Sequence, residues 1–322
     1  MTATAAALSI GEVPVRRLDE ADLPAIFELA ADRGWPPEEA KWRLMFAVSE
    51  PYGVPDPAGG LAGAVVLTRY GWPAEAAARW SRSDPALAER PALHPPPGRA
   101  PLATVGMMLV ASRHGRRGLG RRLMEHVLAR AGDAVVYLTA TPAGRPLYER
   151  LGFRVVDTSV TYRGFLRPAP AEAEAASATR PVATADLAAI AAVDQQVFGA
   201  ERNRVLAELV TFADRFELLD EPATTGHGAA LTYGAAWSKD GRRLIGPLVA
   251  ASTVAAARLV CGLAAGWPGD VRLDILGRHQ DLAAWAAARG LAPVNESALM
   301  VYGGDLPGER DRLYCPVSVA IG

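Results

Sequence analysis

The chain has 322 residues, of which half are hydrophobic and 21% charged, and a formal net charge of −1. Length and composition fit a globular protein with apolar material for about two cores. The near-neutral balance gives no whole-chain footprint for nucleic acid, and no run of about 18 apolar residues offers a membrane span.

The first residues, Met1 to Gly11, are rich in Ala and Thr and lack the basic start and apolar core of a signal peptide. Residues 1–12 are therefore expected to be a flexible N-terminus, and the protein cytoplasmic. Val13 to Leu18 reads as a first strand. Asp19 or Asp22 can cap the next helix, which carries Leu23, Ile26, Phe27 and Leu29. Gly34-Trp35-Pro36-Pro37 breaks the pattern, and a second helix with Trp42, Leu44, Met45 and Phe46 follows from Glu38 to Val48. Tyr52 to Val54, a turn at Asp56 to Gly60, and Leu61 to Tyr70 make a hairpin. Residues 72–100, part of a stretch from Gly71 to Ala100 with six prolines, Trp72, Trp80 and His94, read as an insertion, either a lid or a surface excursion. Strand-length Val105 to Ala111 comes next, then a basic glycine-rich turn, then a helix with Leu119, Leu123 and Val127 at helical spacing. Val135 to Thr141 is a strand, Leu147 to Phe153 lies on a short helix and its end, and Arg154 to Arg163 closes this part.

Phe165 to Arg180 is rich in Ala, Glu and Pro without apolar periodicity, the mark of a linker at 165–180. Val182 to Leu187 echoes Val15 to Leu23, a weak internal repeat. Helices follow through Ile190 and Val197 and through Leu206 and Val210, then strands at Ala229 to Ala236 and Leu244 to Ala251. A helix from Val254 to Ala265, a strand from Val271 to Leu276, a helix with Leu282 and Trp285, and a last strand from Ala298 to Tyr302 complete the series. Cys261 and Cys315 form no disulfide framework, and His94, His114, His126, His227 and His279 show no ligand spacing, so no metal is expected.

The turn Arg113-His114-Gly115-Arg116-Arg117-Gly118-Leu119-Gly120-Arg121-Arg122 carries the chemistry. A helix N-terminus offers unpaired N–H groups and a partial positive charge, so glycines leading into one, ringed by arginines, predict a phosphate or diphosphate ligand. Arg121-Arg122 after the last glycine rules out a Walker loop, and Leu123 stands where a dinucleotide fingerprint needs its third glycine.

The stretch resembles the pyrophosphate loop of the GNAT acetyl-CoA-dependent N-acyltransferases, Gln/Arg-x-x-Gly-x-Gly/Ala after a central strand. It departs from that pattern in having Gly115 at the Gln/Arg position, with Arg116 next. Leu147-Tyr148-Glu149-Arg150-Leu151-Gly152-Phe153 resembles the family's ending, whose Tyr protonates the departing thiolate; Thr141 replaces a frequent Asn. The resemblance implies an α/β (α+β) fold of tandem GNAT domains, each a mixed, mostly antiparallel central sheet flanked by helices. The active domain spans 13–164 and a degenerate copy 181–304, followed by a tail at 305–322. The copy has Ala251-Ser252-Thr253-Val254 in place of the basic turn, and Trp285 near the position of Tyr148.

The resemblance further implies acetyl-CoA (coenzyme A) held by Met108, Leu109, Val110, Gly115, Arg116, Arg117, Gly118, Leu119, Gly120, Arg121 and Thr141, with Tyr148 as general acid. Asp32, Arg33 and Trp35 are candidates for the acceptor wall, and Asp194, Arg202 and Asp274 for acceptor contacts from the second domain. No acidic residue lies on Ala103 to Ala111, so the base is a water relay or a carboxylate such as Glu28, Asp32 or Glu50. The expected activity is acetyl transfer to the primary amine of a small molecule by direct transfer in a ternary complex. A non-catalytic acyl-CoA-binding regulator and a longer-chain N-acyltransferase stay open beside it. The expected partners are that small-molecule amine, with no nucleic acid and no membrane; the protein is a monomer or a homodimer.

Overall fold

The computed structural model describes residues 9–36, 38–71, 101–219 and 231–322. The insertion at 72–100, with Trp72, Trp80 and His94, lies outside them, as do residues 1–8 and the first two residues of the strand expected from Ala229. The chain divides into two compact units, residues 1–136 and 137–322.

In the first unit a capping box at Asp19 and Asp22 leads into α1 (Leu23–Asp32). Its Leu23, Ile26, Leu29 and Ala30 face inward at helical spacing. After α2 (Glu39–Val48), whose Trp42 is enclosed, three strands follow: β2 (Glu50–Pro55), β3 (Leu61–Tyr70) and β4 (Leu102–Val110). With the short β1 (Arg16–Arg17) they form an antiparallel sheet in the order β1-β2-β3-β4. β3 is buried at nearly every residue, which requires cover on both faces; α1 and α3 (Leu119–Ala131) pack on it. The approach of α3 is close enough that a Cβ at Gly63 would lie 2.9 Å from Leu123 Cδ1. β5 (Val135–Ala140) sets out at the end of this unit, where Val135 N–H donates to the Pro101 carbonyl at 2.9 Å.

The second unit holds β5 from Tyr137 onward, α4 (Arg145–Arg150), β6 (Arg154–Gly164), α5 (Pro170–Ala175), β7 (Thr179–Pro181), α6 (Leu187–Phe198), α7 (Asn203–Phe212), β8 (Arg215–Leu219), β9 (Thr232–Lys239), β10 (Arg242–Val249), α8 (Thr253–Ala264), β11 (Asp270–Leu276), α9 (Gln280–Ala288), β12 (Leu291–Tyr302) and β13 (Leu313–Cys315). The strands run in the order β5-β12-β6-β11-β10-β9-β8-β7. The ends of the two sequence repeats are thus interleaved: β12 lies between β5 and β6, and β6 lies between β12 and β11. α8 is apolar nearly all round and is correspondingly enclosed, forming one core with α9, β10 and β11.

The structure differs from the sequence reading in having β8, where no strand is expected, in starting β12 at Leu291 and not at Ala298, and in two further stretches. The expected linker at 165–180 contains α5, which begins with Pro170 and carries Glu172 at its third position. Glu172 accepts from Ala169 N–H at 2.7 Å and from Arg289 and Trp285, so an Ala/Glu-rich segment with little apolar surface is pinned by one carboxylate. The segment 305–322 holds a 3-10 turn (Arg310–Arg312) and β13, and Leu313, Tyr314, Cys315, Val317 and Ile321 are all buried.

Candidate functional site

β4 does not run straight to the glycine turn. Its register against β3 shifts so that Met107 and Met108 together stand opposite Val65, and Met107 takes a φ of +50°. This is a bulge, which turns the strand's last residues and re-aims their backbone groups. Beyond it Leu109 is buried, while Met108 and Val110 keep partial exposure.

The chain then makes a 3-10 turn (Ser112–His114) and enters the loop. Arg116 and Gly118 both adopt left-handed backbone, with φ of 59° and 80°. Gly118 is the N-cap of α3, and no side chain closes the helix end. The N–H groups of Arg116 through Arg121 donate to no described residue. Six neighbouring N–H groups without an acceptor among the described residues, three of them at a helix N-terminus, are the kind of donor set that an anion requires.

The arginines around it divide sharply. Arg121 pairs with Glu125 at 2.8 Å, and Arg122 is spent on the carbonyls of Ile10, Gly11 and Val13. Arg113 is bound to Asp56, Nε to Oδ2 at 2.8 Å. Arg116 and Arg117 are exposed and form no hydrogen bond or ion pair with any described residue, leaving two guanidinium groups to offer an anion.

Two carboxylates fix the residues just before the loop. Asp32, the last residue of α1, accepts from Ser112 Oγ and Ser112 N, each at 2.6 Å, and these bonds hold its pKa below the ordinary value. Asp56 sits in the β2–β3 turn with its side chain 3% exposed. Its Oδ2 accepts from Arg113 and from His114 Nε2 at 2.6 Å, and its Oδ1 from Ala58 N–H at 2.9 Å. Burial alone would raise its pKa; the bonds from Ala58, His114 and Arg113 outweigh that and lower it. Sequence reading placed Asp56 only in a turn. Nothing local marks a partner 57 residues away.

Asp32 therefore has both oxygens engaged, while Arg33 and Trp35 beside it are exposed, Trp35 at 38%. Of the other carboxylates weighed as a base, Glu28 is exposed, whereas Glu50 is buried and bound by Arg69 and the Tyr52 hydroxyl.

In the second unit, Tyr148 is 7% exposed on α4, its ring edge-on to Phe153 at 6.0 Å. Its hydroxyl makes no hydrogen bond with a described residue, and burial pushes its pKa up to about 12, so it stays protonated at neutral pH. Thr141 holds the turn that leads into this helix, whose N-cap is Gly144: its Oγ1 accepts from Gly144 N–H at 3.2 Å and its carbonyl from Arg145 N–H at 3.0 Å. A Cβ on Gly144 would come within 3.2 Å of the Tyr148 ring.

The corresponding places in the second repeat are filled by the chain itself. β10 and β11 run parallel and paired from Arg242 to Ile245. Beyond that, β13 pairs with Leu248 and Val249 of β10 on the edge opposite β9, in contact with β11. The Ser252 hydroxyl accepts from Ala255 N–H at 3.2 Å and so occupies the end of α8 that Gly118 leaves open on α3. Trp285 is bonded to Glu172. Asp194 is fully buried: Arg202 donates to both of its oxygens at 2.7 Å, and Tyr233 donates to Oδ1. Arg202, itself buried, also donates to the Gly322 carbonyl at 2.8 Å. These two residues, expected to reach an acceptor, form an interior ion pair instead, because the end of α6 and the start of α7 bring them together. Asp274 is engaged by Thr161 at 2.6 Å and by Arg272 at 3.0 Å, and its side chain keeps 12% exposure.

Two family models, both described as an acetyltransferase (GNAT) domain, match residues 100–169 and 190–315. The uncharacterized N-acetyltransferase YitH of Bacillus subtilis (strain 168) is 26% identical over 223 residues, 69% of this chain and 77% of that protein. Among solved structures, a candidate acetyltransferase from Pyrococcus horikoshii superposes with a TM-score of 0.71 at 17% identity, covering 98% of each chain. A tandem GNAT protein from the clavulanic acid biosynthesis pathway gives 0.57 at 17% identity, covering 91% of this chain and 99% of that one.

Proposed function

The chain belongs to the GNAT family of N-acetyltransferases and carries two such domains in tandem; from that premise we propose that its first repeat moves an acetyl group from acetyl-CoA to the primary amine of a small molecule, by direct transfer in a ternary complex. The observation that carries this reading is the run of N–H groups from Arg116 to Arg121 with no acceptor among the described residues, together with the exposed guanidinium groups of Arg116 and Arg117, which bind no described residue. A diphosphate matches that donor set in charge and in number of acceptors.

When bound, acetyl-CoA supplies a thioester carbonyl and a thiolate leaving group. The N–H groups of the loop hold the diphosphate. The bulged end of β4, at Met108, Leu109 and Val110, positions the pantetheine arm and aims an amide at the thioester oxygen. Tyr148 keeps its proton at neutral pH and offers it to the departing sulfur, and Thr141 steadies the helix that carries it. A water relay or the exposed Glu28 takes the proton from the amine, since Glu50 and Asp32 are committed elsewhere. The occupied gap between β10 and β11 and the capped end of α8 support a single acyl-CoA site per chain.

Calorimetric titration with CoA and acetyl-CoA tests this. Micromolar binding at one site per chain, lost in the Gly118→Glu, Gly120→Glu double variant, is expected, and it justifies a screen of amines for turnover. No binding to the wild type, or two sites per chain, would refute the reading.

A further inference from the structure

Of the charged residues gathered around the loop, the least expected is the buried carboxylate behind it. Asp56 is 3% exposed and binds the side chains of both Arg113 and His114, the two residues immediately before Gly115. His114 is itself tightly held: its side chain is 12% exposed and its Nδ1 is buried without a partner, so Asp56 is its anchor. The bond from Ala58 N–H fixes the carboxylate within its own turn, so that turn, built on β2 and β3, becomes a rigid post. Asp32 grips Ser112 from the other side. Three consecutive residues are thus pinned from two separate elements just where the chain turns into the left-handed backbone of Arg116 and Gly118. From Arg116 to Gly118 the loop itself is exposed and its N–H groups donate to no described residue, its one backbone bond being from Arg122 N–H to the Gly118 carbonyl at 3.0 Å, so the shape of its first residues depends on what holds its start.

We infer that Asp56 is a positioning residue for cofactor binding: through Arg113 and His114 it sets the direction of the loop N–H groups, and it acts only on the part of the cofactor that carries the diphosphate. The inference rests on the proposed role of the loop. Arg113 is correspondingly assigned to the protein's own carboxylate rather than to phosphate. Pre-setting the loop removes an ordering cost from binding, which would otherwise appear as lost affinity.

The substitution Asp56→Asn isolates the effect. Asn keeps the shape and the Oδ1 acceptor for Ala58, but it places an NH2 donor against the donors of Arg113 and His114. Loss of charge-assisted bonds of this kind predicts a rise of about tenfold in the CoA dissociation constant by titration calorimetry. With acetyl-pantetheine, which lacks the diphosphate, kcat/KM should stay within about twofold of wild type, while KM for acetyl-CoA rises about tenfold. A residue that merely supports the fold would depress both thioesters together and lower the thermal midpoint. The pair Arg113→Gln, His114→Gln breaks the same clamp from its solvent side, should show the same selective loss, and decides the matter if Asp56→Asn does not fold. Wild-type CoA affinity in either variant, or a parallel loss with both thioesters, would overturn the assignment. A wild type that binds no CoA is a different failure, seen before any variant is made, and it removes the reading of the loop itself.

Discussion

Removing the Asp194 carboxylate is the sharpest test of how the second repeat is built. In Asp194→Ala the Arg202 guanidinium loses two hydrogen bonds of 2.7 Å and the Tyr233 hydroxyl loses its acceptor, all in a fully buried setting. What remains to Arg202 includes the Gly322 carbonyl and the face of Phe198, 4.1 Å from the guanidinium carbon. Breaking one side of such a pair costs about 3–5 kcal/mol, because a charge is left desolvated. At roughly 2 °C per kcal/mol for a chain of this size, the thermal midpoint should fall by about 6–10 °C. The double variant Asp194→Leu, Arg202→Met removes the charge along with its partner and should recover most of the loss. Thermal unfolding followed by circular dichroism gives the midpoints, and titration with CoA should be unaffected. A drop below about 2 °C, or a raised KM for the amine at an unchanged midpoint, would refute the interior role and return both residues to the acceptor site.

Two further predictions concern titrating groups. Tyr148→Phe should lower kcat about a hundredfold with the CoA dissociation constant unchanged; an unchanged kcat would remove Tyr148 from the reaction. Because burial raises its pKa to about 12, the protonated form contributes stability below pH 10 that is lost as pH climbs from 10 to 12. The ultraviolet difference titration between wild type and variant should accordingly place Tyr148 among the last tyrosines to ionise. Arg289 draws the Glu172 pKa down to about 2, so the carboxylate contributes stability above pH 4.5 that disappears between 4.5 and 2. Glu172→Gln should therefore unfold earlier than wild type at pH 7, with the gap closing near pH 2; a gap that persists there would show that α5 is not held by charge.

The parts of this protein legible in its sequence are those whose information is local. Gly115, Gly118, Gly120 and the arginines among them announce a strand-to-helix turn within ten residues, and Leu119, Leu123 and Val127 announce the helix that follows. The element order of the first repeat is readable for the same reason, whereas in the second the strand β8 is not announced. What stayed hidden depends on partners distant in the chain. Asp56 in an Asp-Pro-Ala-Gly-Gly turn has every mark of a solvated turn residue, and its two binding partners lie more than fifty residues later. Asp194 and Arg202 are only eight residues apart, yet neither position shows that the fold brings both charges indoors. β13 is three residues long, too short for a periodicity to register, and Glu172 gives a linker-like segment its helix only by way of Arg289.

The interleaving of β6 with β12 has a consequence for the nascent chain. Both neighbours of β6 come from residues 270 onward, about a hundred positions after its own last residue. At a synthesis rate of about 5–20 residues per second, β6 leaves the ribosome roughly five to twenty seconds before either partner exists. During that interval both of its edges lack the strands that pair with them in the folded chain, and unpaired strand edges are what chaperones meet and what drives aggregation. The last strand of the first repeat, β6, therefore takes both of its pairing partners from the second repeat.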